Sequence, residues 1–177
     1  MEKNIKDLKT LIGKESLYKG IKELAQKINN DYPNDEELVL VCILKGAVMF
    51  FTELSKHLKM PVRMEFITLS SYGNAQNSTG KVKAINLNLE NIENSNVLIV
   101  EDIIDTGITL NFLMNYIQTS CKTKSAKLAV LLNKKCERKF CINPDYSAFD
   151  VDDKFIVGFG LDYQNLYRNI DFIGYFE

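Results

Sequence analysis

The sequence lacks an excess of charge of either sign. Its 177 residues contain 22 lysines and arginines against 23 aspartates and glutamates, so the formal net charge is −1. A chain with this balance has no general electrostatic attraction for nucleic acid or for an anionic membrane surface. We therefore predict neither a nucleic-acid partner nor a membrane partner.

Long apolar segments are also missing. No run of apolar residues approaches the roughly 18 residues that a helix needs to cross a bilayer. The N-terminal segment, MEKNIKDLKT, is polar and does not contain the apolar core of a secretory signal peptide. These absences favour a cytoplasmic protein.

Histidine and paired cysteines, which build zinc sites and many nucleophilic active sites, are scarce. The chain has four cysteines, none in a CxxC pair, and a single histidine, His57. A zinc site needs ligands at closer, repeated spacing. His57 ends the helical pattern FFTELSKHL, where it suits a helix C-terminus, and it has no serine or cysteine partner nearby in the sequence. The pattern therefore favours neither zinc chemistry nor a catalytic histidine.

Short apolar segments alternate with helical patterns along the chain. LVLVCIL (38–44) and VLIV (97–100) are continuous apolar runs, which are typical of strands buried on both faces of a sheet. Leucine and isoleucine recur on one face of the segment 16–31, which predicts a helix with Ser16 as its N-cap. Further helices are predicted at 46–58 and 107–120, and further strands at 62–70, 82–89, 127–133, 155–161 and, as an edge strand, in DFIGYF near the C-terminus. This order predicts one α/β domain over 1–177 with a mainly parallel sheet.

The loops that follow the parallel strands are the expected place for a ligand. Sheets of this class bind ligands beyond the carboxyl ends of their strands. Lys45 and Gly46 follow the first apolar strand, 101–109 follows VLIV, and 133–135 follows the next strand. We expect these loops to converge on one crevice.

The loop after VLIV combines acids with a phosphate-type turn. It reads EDIIDTGIT, in which Glu101, Asp102 and Asp105 precede a turn that opens a helix. Such a turn offers backbone N–H groups to a phosphate, and Gly107 allows close approach. The acids accept hydrogen bonds from ribose hydroxyls or bind Mg²⁺. A ribose 5-phosphate carrying a magnesium-bound diphosphate meets both requirements; a simple turn with a helix N-cap is the plainer alternative.

Several segments of the sequence resemble parts of the hypoxanthine-guanine phosphoribosyltransferases, and they follow one another in the same order as in that family. VLIVEDIIDTGIT is similar to the phosphoribosyl-diphosphate (PRPP) signature of type I phosphoribosyltransferases. LVCILKGAVMFFTEL resembles the family's diphosphate loop, and SSYGNAQNSTGKV its flexible catalytic loop (71–81). LLNKK and KFIVGFGLDYQNLYRNIDFIG resemble its purine-binding strand and C-terminal segment. The resemblance implies the type I phosphoribosyltransferase fold, with a core over about 36–150 and a small hood built from the N-terminal segment and about 151–177.

The resemblance also implies which residues hold the ribose phosphate. Glu101 and Asp102 would bind the ribose hydroxyls and Mg²⁺. Asp105 would face the purine N7 and assist proton removal, as the catalytic residue. The 5-phosphate would lie on Asp105, Thr106, Gly107, Ile108 and Thr109.

Further residues would complete the site around the diphosphate. They are Lys45, Gly46 and Arg168, and the resemblance implies a cis peptide between Leu44 and Lys45. Asp162 would contact the magnesium ion. Ser71 and Tyr72 would close over the reacting centre and exclude water.

The base site is implied by three residues of the last two segments. Lys134 would read the 6-oxo group, because a donor there accepts a keto purine and rejects the amino group of adenine. Phe155 would stack on the purine, and the Ile156 backbone would meet its edge. The implied reaction joins a 6-oxopurine to PRPP and gives IMP or GMP, in a homodimer or homotetramer. A xanthine-preferring enzyme and a PRPP-sensing regulator that binds nucleic acid are the alternatives.

Overall fold

The computed structural model describes residues 5–71, 82–86, 89, 91–135 and 142–176. After a short 3-10 turn, Ile5–Asp7, the elements follow in one order. They are β1 (Lys9–Ile12), α1 (Lys14–Asp31), β2 (Leu38–Leu44), α2 (Val48–Ser55), β3 (Val62–Ser71), β4 (Val82–Asn86), β5 (Asn96–Ile104), α3 (Ile108–Ser120), β6 (Ser125–Lys134), β7 (Tyr146–Val151), β8 (Ile156–Val157) and β9 (Ile173–Tyr175).

A six-stranded sheet in the order β4-β3-β2-β5-β6-β7 forms the centre of the molecule. All neighbouring strands are parallel except β3 and β4, which pair antiparallel. The predicted α/β fold with a mainly parallel sheet is confirmed. Strands β3 and β4 lie where strands were predicted at 62–70 and 82–89, and they pair antiparallel; the loop between them, from Tyr72 to Lys81, lies outside the described residues.

Strand β2 is apolar at every position because helices cover both faces of the sheet there. Leu38, Leu40 and Cys42 in β2 pack in one core with α1 and α2. The alternate residues Val39 and Val41 pack in a second core with α3. The continuous apolar run therefore reflects two cores that share one strand.

Helix α1 buries one face but begins earlier than predicted. Its buried side chains include Leu17, Ile21 and Ile28, as the apolar spacing predicts. The N-cap is Gly13 rather than Ser16, and it makes no side-chain capping hydrogen bond. Because β1 ends at Ile12, the chain enters the helix directly, and Ser16 falls within the first turn. The predicted Ser16 cap was wrong.

A separate three-stranded antiparallel sheet joins the two ends of the chain in the order β1-β9-β8. Gly174 of β9 pairs with Thr10 of β1 on one side and with Val157 of β8 on the other. The prediction of DFIGYF as an edge strand was therefore wrong, since β9 is the central strand. β1 escaped prediction because its residues are exposed or half-buried and leave little apolar signal.

Among the described residues, no helix combines the length and the apolar character needed to cross a membrane.

Candidate active site

The acids of the EDIIDTGIT segment lie at the carboxyl edge of the six-stranded sheet. The β5 strand runs to Ile104, beyond the predicted end at Val100, so Glu101 and Asp102 belong to the strand itself. Burial, together with the neighbouring Asp102, raises the pKa of Glu101 well above its usual value. Burial raises the pKa of Asp102 to about 6, although the Ile103 N–H donates a hydrogen bond of 2.8 Å to its Oδ1. Two carboxyls are thus held where a negative charge is costly.

The TGIT turn leads from these acids into α3. Gly107 has φ 76°, a left-handed conformation that glycine adopts without a side-chain clash. The first bond of the helix runs from Asn111 N to Gly107 O at 2.9 Å. The N–H groups of the preceding helical residues therefore point out of the helix start, where they favour an anion. A pocket of about 170 Å³ opens there, lined by Glu101, Ile103, Asp105, Thr106, Gly107, Thr109 and Leu110.

The loop after β2 reaches the same edge. The peptide between Leu44 and Lys45 is cis, as the resemblance implied. At Gly46 there is no room for a side chain, because a Cβ would overlap the Asp102 carboxylate. A Cβ at Gly160 would likewise overlap the Gly46 carbonyl oxygen. Glycine at 46 and 160 therefore lets three chain segments pack together beside Asp102.

Arg168 and Asp162 are tied to this junction. The Gly160 N–H donates to the Arg168 carbonyl at 2.9 Å, and Arg168 Nη1 donates to the Gly160 carbonyl at 2.7 Å. Arg168 Nη2 also lies 2.5 Å from Asp162 Oδ1. The Asn165 N–H donates to Asp162 Oδ2 at 2.7 Å. The structure therefore brings Gly46, Asp102, Asp162 and Arg168 to one place.

Lys134, the last residue of β6, stands between two carboxylates. Its Nζ lies 3.8 Å from Asp105 Oδ1 and 2.5 Å from Asp153 Oδ1. The Lys134 side chain is only 14% exposed, whereas the two aspartates are 60% and 69% exposed. The lysine thus joins the EDIIDTGIT segment to the chain that follows β7.

Phe155 and Ile156 lie just beyond Asp153. Phe155 is 48% exposed, which is unusual for a large apolar residue, and Tyr163 meets its ring edge-on with the ring centres 5.7 Å apart. Ile156 is buried, and its backbone pairs with Tyr175 in β9. An exposed aromatic ring of this kind is a suitable surface on which a flat ring could stack.

Two predicted site residues fall wholly or partly outside the described part of the structure, and two residues near the site were not predicted. The side chain of Ser71 and the whole of Tyr72 lie outside the description. Asp153 contacts Lys134, and Gly160 packs against Gly46, but neither was singled out from the sequence. The acidic pair DD before Phe155 and the GFG triplet were the signals that could have revealed them.

Few side chains at this edge of the sheet could bind a metal ion. In the part of the chain that the structure describes, no group of three or more histidine, cysteine, aspartate or glutamate side chains could hold a metal ion. A magnesium ion at Glu101, Asp102 or Asp162 would need oxygens from substrate and water, which is its usual preference. His57 is not part of the site: its carbonyl accepts a bond from Asn29 in α1, and its ring meets Glu53 at 3.1 Å.

Comparison with known proteins agrees with this geometry. The phosphoribosyl transferase domain family matches residues 10–164. A hypoxanthine-guanine phosphoribosyltransferase of Streptococcus thermophilus is 44% identical over 98% of this chain and 94% of its own length. The chain belongs to the hypoxanthine-guanine phosphoribosyltransferase family. The predictions of the family and of an enzyme are confirmed.

Solved structures place this phosphoribosyltransferase in the same fold. A crystal structure of a hypoxanthine-guanine phosphoribosyltransferase from Bacillus anthracis is 42% identical, with a TM-score of 0.89, and covers 96% of this chain and 98% of that chain. A hypoxanthine phosphoribosyltransferase from Staphylococcus aureus is 39% identical, with a TM-score of 0.91 over 97% of this chain and 93% of that chain. The predicted type I phosphoribosyltransferase fold is confirmed.

Proposed function

We propose that this phosphoribosyltransferase makes IMP or GMP, with diphosphate, from hypoxanthine or guanine and PRPP in the presence of Mg²⁺. The observation that carries the proposal is the convergence at one sheet edge. Glu101 and Asp105 line the same pocket as the start of α3, and Lys134 lies 3.8 Å from Asp105. This arrangement supports a sugar-phosphate site beside a site for a keto base.

PRPP fits the carboxyl edge of β5. Its 5-phosphate would accept hydrogen bonds from the backbone at the start of α3, where Thr106, Gly107 and Thr109 line the pocket. Its ribose hydroxyls would donate to Glu101 and Asp102. Its diphosphate would extend toward Lys45, Gly46 and Arg168.

Magnesium fits the acids on the diphosphate side. Burial is the main cause of the raised pKa of Asp102, and the nearby Asp162 carboxylate adds a smaller increase, so these two acids together favour a cation. When bound, the ion would neutralise charge on the diphosphate. Arg168, held by Asp162 and by Gly160, would add a planar donor fork on the same side.

The purine fits between Lys134 and Phe155. The lysine ammonium would donate a hydrogen bond to the 6-oxo group. The exposed Phe155 ring would stack on the base, and the Ile156 backbone would meet its edge. An adenine amino group would face the ammonium donor to donor, so the pocket would reject it.

The chemistry is displacement at C1 of the ribose. A base nitrogen forms a bond to C1 while the bond from C1 to the diphosphate oxygen breaks, and that oxygen keeps the electron pair. Asp105 accepts the proton that the base loses. Positioning and charge stabilisation account for the acceleration, because the enzyme forms no covalent intermediate in this step.

The remaining parts of the proposal concern the whole protein. We propose that residues 1–177 form one domain and that the small sheet β1-β9-β8 is part of its hood. Ser71 and Tyr72 close over the bound substrates. The enzyme acts in the cytoplasm as a homodimer or homotetramer.

Nucleotide formation by the purified protein tests the proposal. Hypoxanthine, guanine, xanthine, adenine and orotate are offered separately with PRPP, with and without Mg²⁺. We expect turnover of hypoxanthine or guanine that requires Mg²⁺, and none of adenine or orotate. Preferred turnover of xanthine would reassign the base.

A matched pair of lysine variants then tests the base site. Lys134→Ala should abolish turnover, because it removes the donor for the 6-oxo group. Lys135→Ala, at the exposed neighbouring position, should leave turnover within about twofold. Equal losses in both variants, or turnover of no base while PRPP still binds, would overturn the assignment.

A further inference from the structure

The ion pair between Lys134 and Asp153 spans the two walls of the proposed purine site. Lys134 ends β6, in the six-stranded sheet, and Asp153 lies in the connection from β7 to β8. That connection carries Phe155 two residues later. The Lys134 Nζ lies 2.5 Å from Asp153 Oδ1, closer than its 3.8 Å distance to Asp105.

Strand register places both members of the pair. Lys134 pairs with Val151 in the parallel ladder between β6 and β7, and the Lys135 N–H donates to the Val151 carbonyl at 2.8 Å. Asp153 follows Val151 by two residues, so it leaves the sheet on the strand next to the lysine. The backbone therefore holds the aspartate within reach of the ammonium.

The burial of the pair is asymmetric. Lys134 is 14% exposed, so water shields its charge poorly, whereas Asp153 is 69% exposed. A carboxylate that contacts a mostly buried ammonium orients it more strongly than it would a fully solvated one. The ion pairs with Asp105 and Asp153 restrict the direction in which the ammonium can donate.

We propose that Asp153 is a positioning residue for base recognition, which acts through Lys134 and ties it to the segment that bears Phe155. The proposal rests on the proposed function, in which Lys134 donates to the 6-oxo group of the purine. Asp153 itself need not touch the substrate. Its loss would free the ammonium to turn toward Asp105 and away from the base.

Steady-state kinetics of Asp153→Asn test the proposal. We expect the KM for hypoxanthine or guanine to rise about tenfold, the scale of one charge-assisted hydrogen bond, while the KM for PRPP stays within about twofold. Asp152→Asn is the matched control, since it removes the same charge from the adjacent exposed position. Asp153→Glu, which keeps the charge, should recover part of the lost affinity for the base.

A double-variant comparison separates positioning from a general structural effect. Binding of GMP is measured for Asp153→Asn, Lys134→Ala and the double variant, so that turnover is not needed. If Asp153 acts through Lys134, adding Asp153→Asn to Lys134→Ala should change the Kd for GMP less than about twofold. An equal change in both backgrounds would overturn the proposal.

The failure of this inference differs from failure of the proposed function. If the parent enzyme turns over hypoxanthine or guanine but Asp153→Asn has the parent's KM for the base, Asp153 does not position Lys134. If the parent turns over neither base, the proposed function itself is wrong. A rise in the PRPP KM as large as that for the base would also overturn the positioning role.

Discussion

The two edges of the six-stranded sheet hold their carboxylates in opposite ways. At the amino edge, Asp31 accepts hydrogen bonds from Tyr146 at 2.6 Å and from Lys127 at 3.1 Å. Glu36 accepts one from Lys124 at 2.6 Å. These partners lower the pKa of Asp31 and that of Glu36 below their usual values. Negative charge at this edge therefore stabilises the folded protein.

At the carboxyl edge the pKa values of the acids shift in the opposite direction. Burial raises the pKa of Glu101 and that of Asp102, and neither forms a salt bridge with a cation among the described residues. Charge at this edge opposes folding until a ligand supplies hydroxyl donors or a cation. The amino edge therefore contributes to stability, whereas the carboxyl edge, where we propose that substrate binds, reduces it.

Among the variants that test the difference between the two edges, Asp102→Asn should have the largest effect on activity. The variant keeps the shape of the side chain but removes the charge that would bind ribose hydroxyls or Mg²⁺. We expect kcat/KM for PRPP to fall at least about 100-fold. The free energy of unfolding at pH 7 should stay level or rise, because a costly buried charge is gone.

The pH dependence of stability follows from the same residue. Burial holds the pKa of Asp102 at about 6 in the folded state, above the ordinary value of 3.8. The folded state therefore binds the proton more tightly, so this group stabilises the parent as the pH falls from above 6 toward 4. Denaturant unfolding from pH 4 to pH 8 should show this gain in the parent relative to Asp102→Asn. Full activity with reduced stability in the variant would contradict the comparison.

Gly46→Ala should show that the carboxyl edge depends on close packing. Its Cβ would overlap the Asp102 carboxylate and displace it. We expect kcat/KM to fall about 10- to 100-fold, because a shift of about 1 Å in a positioned group has this cost. Gly13→Ala is the control, since no atom lies within 4 Å of its added Cβ. Equal activity in the two alanine variants would argue against a tight site.

Tyr146→Phe should weaken the amino edge without affecting catalysis. The hydroxyl donates to Asp31 and accepts from Lys127 at 2.9 Å. Its removal should lower the free energy of unfolding by about 1 kcal/mol, the net contribution of a typical hydrogen bond, because solvent screens the half-exposed Asp31. Tyr18→Phe, whose hydroxyl makes no hydrogen bond with a described residue, should change the unfolding energy less. A loss of turnover in Tyr146→Phe would show that the edges are not separate.

Glu36→Gln should give the smallest effect, because its pair with Lys124 is exposed to solvent. The pKa of Glu36 is lower in the folded state than in the unfolded state. The contribution of Glu36 to stability is therefore present above the unfolded pKa and is lost as the pH falls through the lowered folded value. Thermal unfolding should therefore show a small Tm difference at pH 7 that shrinks at low pH. A difference that grows on acidification would contradict this sign.

Prediction from the sequence succeeded where periodicity is strong. The apolar run 38–44 matches the bounds of β2, and the face formed by Leu17, Ile21 and Ile28 is buried. It failed where strands are short or half exposed. β1 and β7 were not predicted, and β8, with two residues, is much shorter than the predicted strand at 155–161. Such strands depend on their partners more than on their own residues.

The sequence by itself determined the class of fold and the chemistry of the β5 loop. Apolar segments of strand length between helical patterns require a covered parallel sheet, and EDIIDTGIT supplies acids and a phosphate-type turn without reference to the rest of the chain. Only the tertiary structure decided that Gly46 and Gly160 pack beside Asp102, and that Asp153 contacts Lys134. These contacts join residues that are far apart in the chain or separated by a strand, so no local sequence pattern encodes them. Strand register and the close approach of two backbone segments determine which of these residues meet.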